Sequence, residues 1–79
     1  MFNDKMQTVL NFLKEKFRKC TVRLDAGYKI VFEGNNKYID RNVINKILDE
    51  MKFSYITSTK IIDNRFILTY YVYGEKDAN

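Results

Sequence analysis

Apolar residues recur within residues 4–20 at Met6, Leu10, Leu13, Phe17 and Cys20, with Val9 beside them. The spacings follow one stripe of a 3.6-residue period, so this segment reads as an amphipathic helix. Asn3 or Asp4 is placed to cap its start by accepting an unpaired backbone N–H. Lys16, Arg18 and Lys19 suit the negative C-terminal end of the helix dipole.

The period then changes to two. Residues 20–33 read as a hairpin around the stretch LDAGYK. A two-residue Ala26-Gly27 loop would set Leu24 against Lys29 and Cys20 against Glu33, mixing apolar and charged side chains on each face. A three-residue Asp25-Ala26-Gly27 loop instead sets Leu24 against Tyr28, Val22 against Ile30 and Cys20 against Phe32. One face is then wholly apolar. The second register is expected, because a slip of one residue would reverse every side chain. Gly27 suits the left-handed position of such a loop.

GNNK at 34–37 breaks the pattern, and Asp40 is placed to cap a second helix over 41–52. Val43, Ile44, Ile47, Leu48 and Met51 form its apolar stripe, while Asp49, Glu50 and Lys52 are expected to face water. Residues 54–62 and 65–73 read as a second hairpin across Asp63-Asn64, both of which tolerate the positive φ of a type I′ turn. That turn pairs Ile61 with Phe66, Thr59 with Leu68, Thr57 with Tyr70 and Tyr55 with Val72, which makes this the expected core face. The opposite face pairs Ile62 with Arg65, Lys60 with Ile67, Ser58 with Thr69 and Ile56 with Tyr71.

The element order is therefore αββαββ, an α+β chain. Its economical packing sets two helices on one face of a four-stranded antiparallel sheet. Residues 1–79 read as a single small domain, divisible into two αββ units at 4–33 and 40–73, with a tail at 75–79.

Composition narrows the chemistry. Aromatic residues make up 15% of the 79 positions and hydrophobic residues 46%, which is the profile of a folded chain rather than a disordered one. Histidine, the commonest general base and metal ligand, is absent, and the one cysteine excludes an intrachain disulfide. Cys20 sits on the apolar stripe, where a thiol is structural rather than nucleophilic. Asp49 and Glu50 are helical neighbours and do not face each other. The three glycines are isolated, so no phosphate loop is present. No catalytic residue, cofactor or metal is expected, and the chain is read as a non-enzyme. Its opening residues lack the basic-then-apolar order of a secretion signal. A cytoplasmic location is expected, in the host cytoplasm if a virus encodes the chain.

Two surfaces remain as candidates for partner binding. The sheet face away from the helices would carry Arg23, Lys29, Ile56, Lys60, Arg65, Ile67, Tyr71 and Tyr73. One flank of the first helix would carry Lys5, Phe12, Lys16 and Lys19. The formal charge is +4, and all of the excess lies in residues 1–31. Localised positive charge attracts nucleic acid or an acidic protein patch. The leading expectation is a binding module that docks on a host protein or protein complex. A homodimer through the sheet face or an edge strand is a further expectation, with no membrane partner. The alternative is nucleic-acid binding, on the tyrosine-bearing sheet face or the lysine-rich flank. In size and style the chain resembles the small inhibitors encoded by phages and mobile elements, anti-CRISPR and other anti-defence proteins among them. The resemblance covers no motif and brings no residue roles with it.

Overall fold

Residues 2–76 are described in the computed structural model. The first helix, α1, spans Phe2–Lys16 and buries Met6, Val9, Leu10 and Leu13. Asn3 and Asp4 lie inside its first turn rather than capping it, because the helix already begins at Phe2. The Phe2 ring packs edge-on against Phe53 at 5.8 Å, which ties down that first turn. The carboxylate of Asp4 still lies at the positive end of the helix dipole.

α1 stops before residue 20. The Phe17 N–H donates to the Leu13 carbonyl at 2.8 Å, and the chain then turns away. Phe17 and Cys20 thus continue the apolar stripe from outside the helix. Phe17 sets its ring edge-on against Phe32 at 5.6 Å, and the Cys20 thiol donates to the Phe17 carbonyl at 3.6 Å.

Strands β1 (Thr21–Asp25) and β2 (Lys29–Gly34) form the first hairpin, but in a different register from the expected one. Val22 opposes Phe32, Leu24 opposes Ile30 and Asp25 opposes Lys29. The loop is three residues long, as expected, but consists of Ala26, Gly27 and Tyr28. Ala26 and Gly27 both take positive φ, at 55° and 79°, and the Tyr28 N–H closes the turn on the Asp25 carbonyl at 3.2 Å. The observed register differs from the expected one by two residues, so both leave the same side chains of the strands on the same face. Tyr28 leaves the apolar face and lies exposed in the loop.

A short 3₁₀ turn, Asn36–Tyr38, follows Gly34. Glycine is favoured at Gly34: a Cβ there would stand 3.0 Å from the Cys20 Cβ, and its φ is +156°. Asp40 caps the second helix, α2 (Arg41–Glu50), accepting from the Asn42 and Val43 N–H groups at 3.0 and 3.2 Å. Ile44 and Leu48 of its stripe are buried; Val43, Ile47 and Met51 are half-buried. Lys52 takes a positive φ of 64° and ends the helical path.

β3 (Phe53–Ile62) and β4 (Arg65–Glu75) pair in the expected register from Ile62–Arg65 to Tyr55–Val72. Asp63 and Asn64 both take positive φ in the turn. Ser54 then pairs with Gly74, which leaves Tyr73 without a partner on β3. β4 runs on to Glu75, and the Lys76 N–H donates to the Lys52 carbonyl at 2.6 Å, so the expected tail from residue 75 begins within ordered pairing. Its last residues, 77–79, lie outside the described residues.

The four strands form one antiparallel sheet in the order β1-β2-β4-β3. Val22, Ile30, Phe32, Leu68, Tyr70 and Val72 share one face. They join Met6, Leu10, Leu13, Ile44 and Leu48 of the helices in a single apolar cluster. Further ring pairs run through it, Phe32–Tyr70 at 5.9 Å and Tyr55–Tyr70 at 5.4 Å. The core face does not extend along the whole of β3. Thr57, Thr59 and Ile61 share its parity yet are exposed, Ile61 at 75% of its surface. β2 ends opposite Phe66, so the Ile61–Arg65 hairpin tip projects past it. Alternation gave the face of these residues correctly and overstated how far cover reaches.

Candidate functional site

The pairings place the opposite face in rows. Asp25, Lys29, Tyr71 and Ile56 lie across the sheet in one row. Arg23, Val31, Thr69 and Ser58 form the next. Thr21, Glu33, Ile67 and Lys60 form the third, and Arg65 pairs with Ile62 at the tip. Six of the eight sheet residues singled out from the sequence thus fall in these rows, with Arg65 at the tip. Tyr73 does not, because it has no partner on β3 or β2. It borders a shallow depression with Phe2, Tyr28 and Glu75 instead.

This face has its own centre. Val31 is only 3% exposed although it points away from the core cluster. Ion pairs surround it. Arg23 reaches Glu33 at 2.9 Å and Asp25 at 3.2 Å, and Arg65 reaches the other oxygen of Glu33 at 3.0 Å. The two guanidinium groups, Arg23 first, hold the Glu33 carboxyl below the usual carboxylate range. Asp25 joins the network because the hairpin register carries it into β1. Lys29 is held above two rings, Tyr28 at 5.4 Å and Tyr71 at 5.6 Å. The arginines expected to offer free positive charge here are therefore already neutralised. Lys60 makes no ion pair among the described residues.

The apolar residues divide by accessibility. Ile67 and Tyr71 are half-buried, whereas Ile56 is 61% and Ile62 51% exposed. Both of the latter lie on β3, which has a neighbour on one side only. Ile61, on the same strand but the other face, was not singled out from the sequence; its exposure depends on where the helices and β2 end. The two edges of the sheet differ. β1 has five residues and carries the ion-paired Arg23 and Asp25. β3 has ten residues, of which only Lys60 is charged. Short length and charge protect an edge against pairing with another chain, so β1 is protected and β3 is open.

The α1 flank separates into three environments. Lys5 is engaged: its ammonium donates to Glu75 at 2.7 Å and to the Met51 carbonyl at 2.9 Å, and stands 5.2 Å from the centre of the Phe53 ring. Phe12 is exposed and borders an apolar groove with Thr8, Val9, Ile47 and Met51. Lys16 is exposed at the last turn, and Lys19 lies beyond the helix, 5.2 Å from the centre of the Tyr38 ring. The flank does not present a single stripe because α1 ends at Lys16.

Burial shifts further titratable groups outside these surfaces. Burial pushes the Cys20 thiol up, away from the reactive thiolate. Burial, then a hydrogen bond from its hydroxyl to Asp49 at 2.9 Å, pushes Tyr55 up to about 12. No group of three His, Cys, Asp or Glu side chains is arranged to hold a metal among the described residues. No helix among them is long and apolar enough to cross a membrane. Comparison of the chain with known protein families, curated protein sequences and solved structures returns no significant match.

Proposed function

We propose that this chain is a non-enzymatic module that binds another protein by adding a strand of that partner to the free edge of β3. The observation that carries this reading is the edge itself: ten residues with a single charge, no proline, and exposed isoleucines on both sides of the strand. A partner strand beside β3 would hydrogen-bond its free backbone groups and cover Ile56 and Ile62 on one face and Ile61 on the other. Strand addition works in this way, with main-chain pairing for affinity and alternate side chains for specificity. Full burial of each isoleucine would contribute about 1.5–3 kcal/mol.

In this reading both helices pack on the core face and leave the opposite face open. The contacts of Phe2 with Phe53 and of Asn45 with Tyr70 support that arrangement. The likeness in size to phage and mobile-element inhibitors makes a host protein complex, in the host cytoplasm, the partner we favour. A second copy of the chain is the competing occupant of the same edge. The test is capture of host proteins on the immobilised chain and on an Ile56→Lys/Ile62→Lys variant, alongside light scattering of both in solution. A protein held by the parent and lost by the folded variant is the expected result. Equal capture by both chains rules out the β3 edge, and a variant-sensitive dimer with no host protein captured assigns the edge to self-association.

A further inference from the structure

A second surface, built from other elements, has unbalanced charge. Lys16, Arg18 and Lys19 come from the end of α1 and the turn after it, and they border a cleft with Tyr38 and Asp40. Lys37 comes from the 3₁₀ turn. Its ammonium lies over the Tyr38 ring, 5.1 Å from the centre, and that of Lys19 lies over the same ring at 5.2 Å. The two cations are therefore within about one Debye length of each other at 0.1 M salt. None of these four basic residues makes an ion pair among the described residues. Asp40, the carboxylate of the cleft, is committed to capping α2. The α1 dipole accounts for basic residues at its own C-terminus. It does not account for Lys37, which arrives from 18 positions beyond Lys19 in the sequence.

We infer that this cleft is a binding site for single-stranded nucleic acid, with Tyr38 as the stacking platform and Lys16, Arg18, Lys19 and Lys37 as phosphate contacts. Like charges gathered without a counter-ion repel one another, and a bound polyanion relieves that repulsion. The ring selects among polyanions. Tyr38 is 38% exposed with Lys19 and Lys37 over it, and a base that takes the place of an ammonium on the ring, as the lysines turn to its phosphates, is a flat partner that an acidic peptide does not supply. Strand-tracking cations around an exposed aromatic ring are the usual arrangement for such ligands. The site does not use β3 or the ion-paired sheet face, so it stands or falls independently of the protein-binding edge.

The test is fluorescence anisotropy with labelled oligo(dT) and oligo(U) of about 15 nucleotides. Four phosphate contacts on a single strand give a log–log salt slope of about −2.8, a loss of roughly 50-fold between about 50 and 200 mM salt. Lys19→Glu with Lys37→Glu should halve that slope. Tyr38→Ala should weaken binding roughly 5- to 150-fold, as for loss of one stacked base, and Tyr38→Phe should preserve it. Lys60→Glu, on the sheet face, should leave it unchanged. All these residues are surface groups, and circular dichroism checks each fold; Lys19→Gln with Lys37→Gln replaces the charge reversal if that variant fails to fold. No anisotropy change at about 10⁻⁴ M protein in low salt overturns the inference. So does binding indifferent to Tyr38→Ala, or equal affinity for poly-glutamate, which would assign the cleft to an acidic protein.

Discussion

The Tyr70 hydroxyl donates to Asn45 Oδ1 at 2.6 Å, joining the middle of β4 to α2. The Tyr70 side chain is fully buried, and burial pushes its hydroxyl up to about 12. A pKa raised in the folded state means that the protonated form is the one folding favours. The stabilisation is complete below the ordinary tyrosine value near 10 and is lost as the pH rises towards 12. Urea unfolding measured from pH 9 to 12 should show stability falling through this window, by on the order of 2 kcal/mol from Tyr70. Tyr70→Phe should cost about 1 kcal/mol at neutral pH and flatten the alkaline fall, leaving the part due to Tyr55.

Gly34 offers a sharper test of packing. Gly34→Ala should destabilise the chain by about 1–3 kcal/mol, because the new methyl meets the Cys20 Cβ at 3.0 Å. Cys20→Ala should not rescue it, since alanine keeps the offending Cβ. Urea midpoints of the single and double variants distinguish this clash from a role of the thiol.

Asp40 holds two N–H groups at the start of α2. Asp40→Ala should cost about 1 kcal/mol and Asp40→Asn much less, as read by chemical denaturation.

Ile56→Lys and Ile62→Lys should leave thermal stability nearly unchanged, within about 0.5 kcal/mol, because both side chains are exposed. The same changes should abolish capture of a partner at the β3 edge. A large loss of stability in these variants would show that the exposed isoleucines support the fold itself.

The second hairpin was legible in the sequence because its turn residues and its alternation agree on one register. The first was not, because two registers two residues apart give the same amphipathic pattern. What separates them is backbone geometry, the paired positive φ of Ala26 and Gly27. The end of α1 was hidden for a related reason: Phe17 and Cys20 keep the helical period after the helix has stopped. The candidate surface was legible only as a list of side chains. Glu33 reaches Arg65, 32 residues away, only because β2 lies beside β4, and no local pattern states that adjacency. The exposure of Ile61 and the gathering of Lys19 and Lys37 around Tyr38 depend equally on long-range placement.

That same adjacency of β2 and β4 has a kinetic consequence. Each hairpin closes a short loop, an event of about 1–10 μs. The ladder between them joins Lys29–Gly34 to Phe66–Tyr71 and must bring distant parts of the chain together. It is therefore the expected rate-limiting contact, and with no proline in the sequence no isomerisation step should mask it. Truncation of Ile30 or Leu68 should slow refolding, whereas changes at the Asp63-Asn64 tip should mainly hasten unfolding.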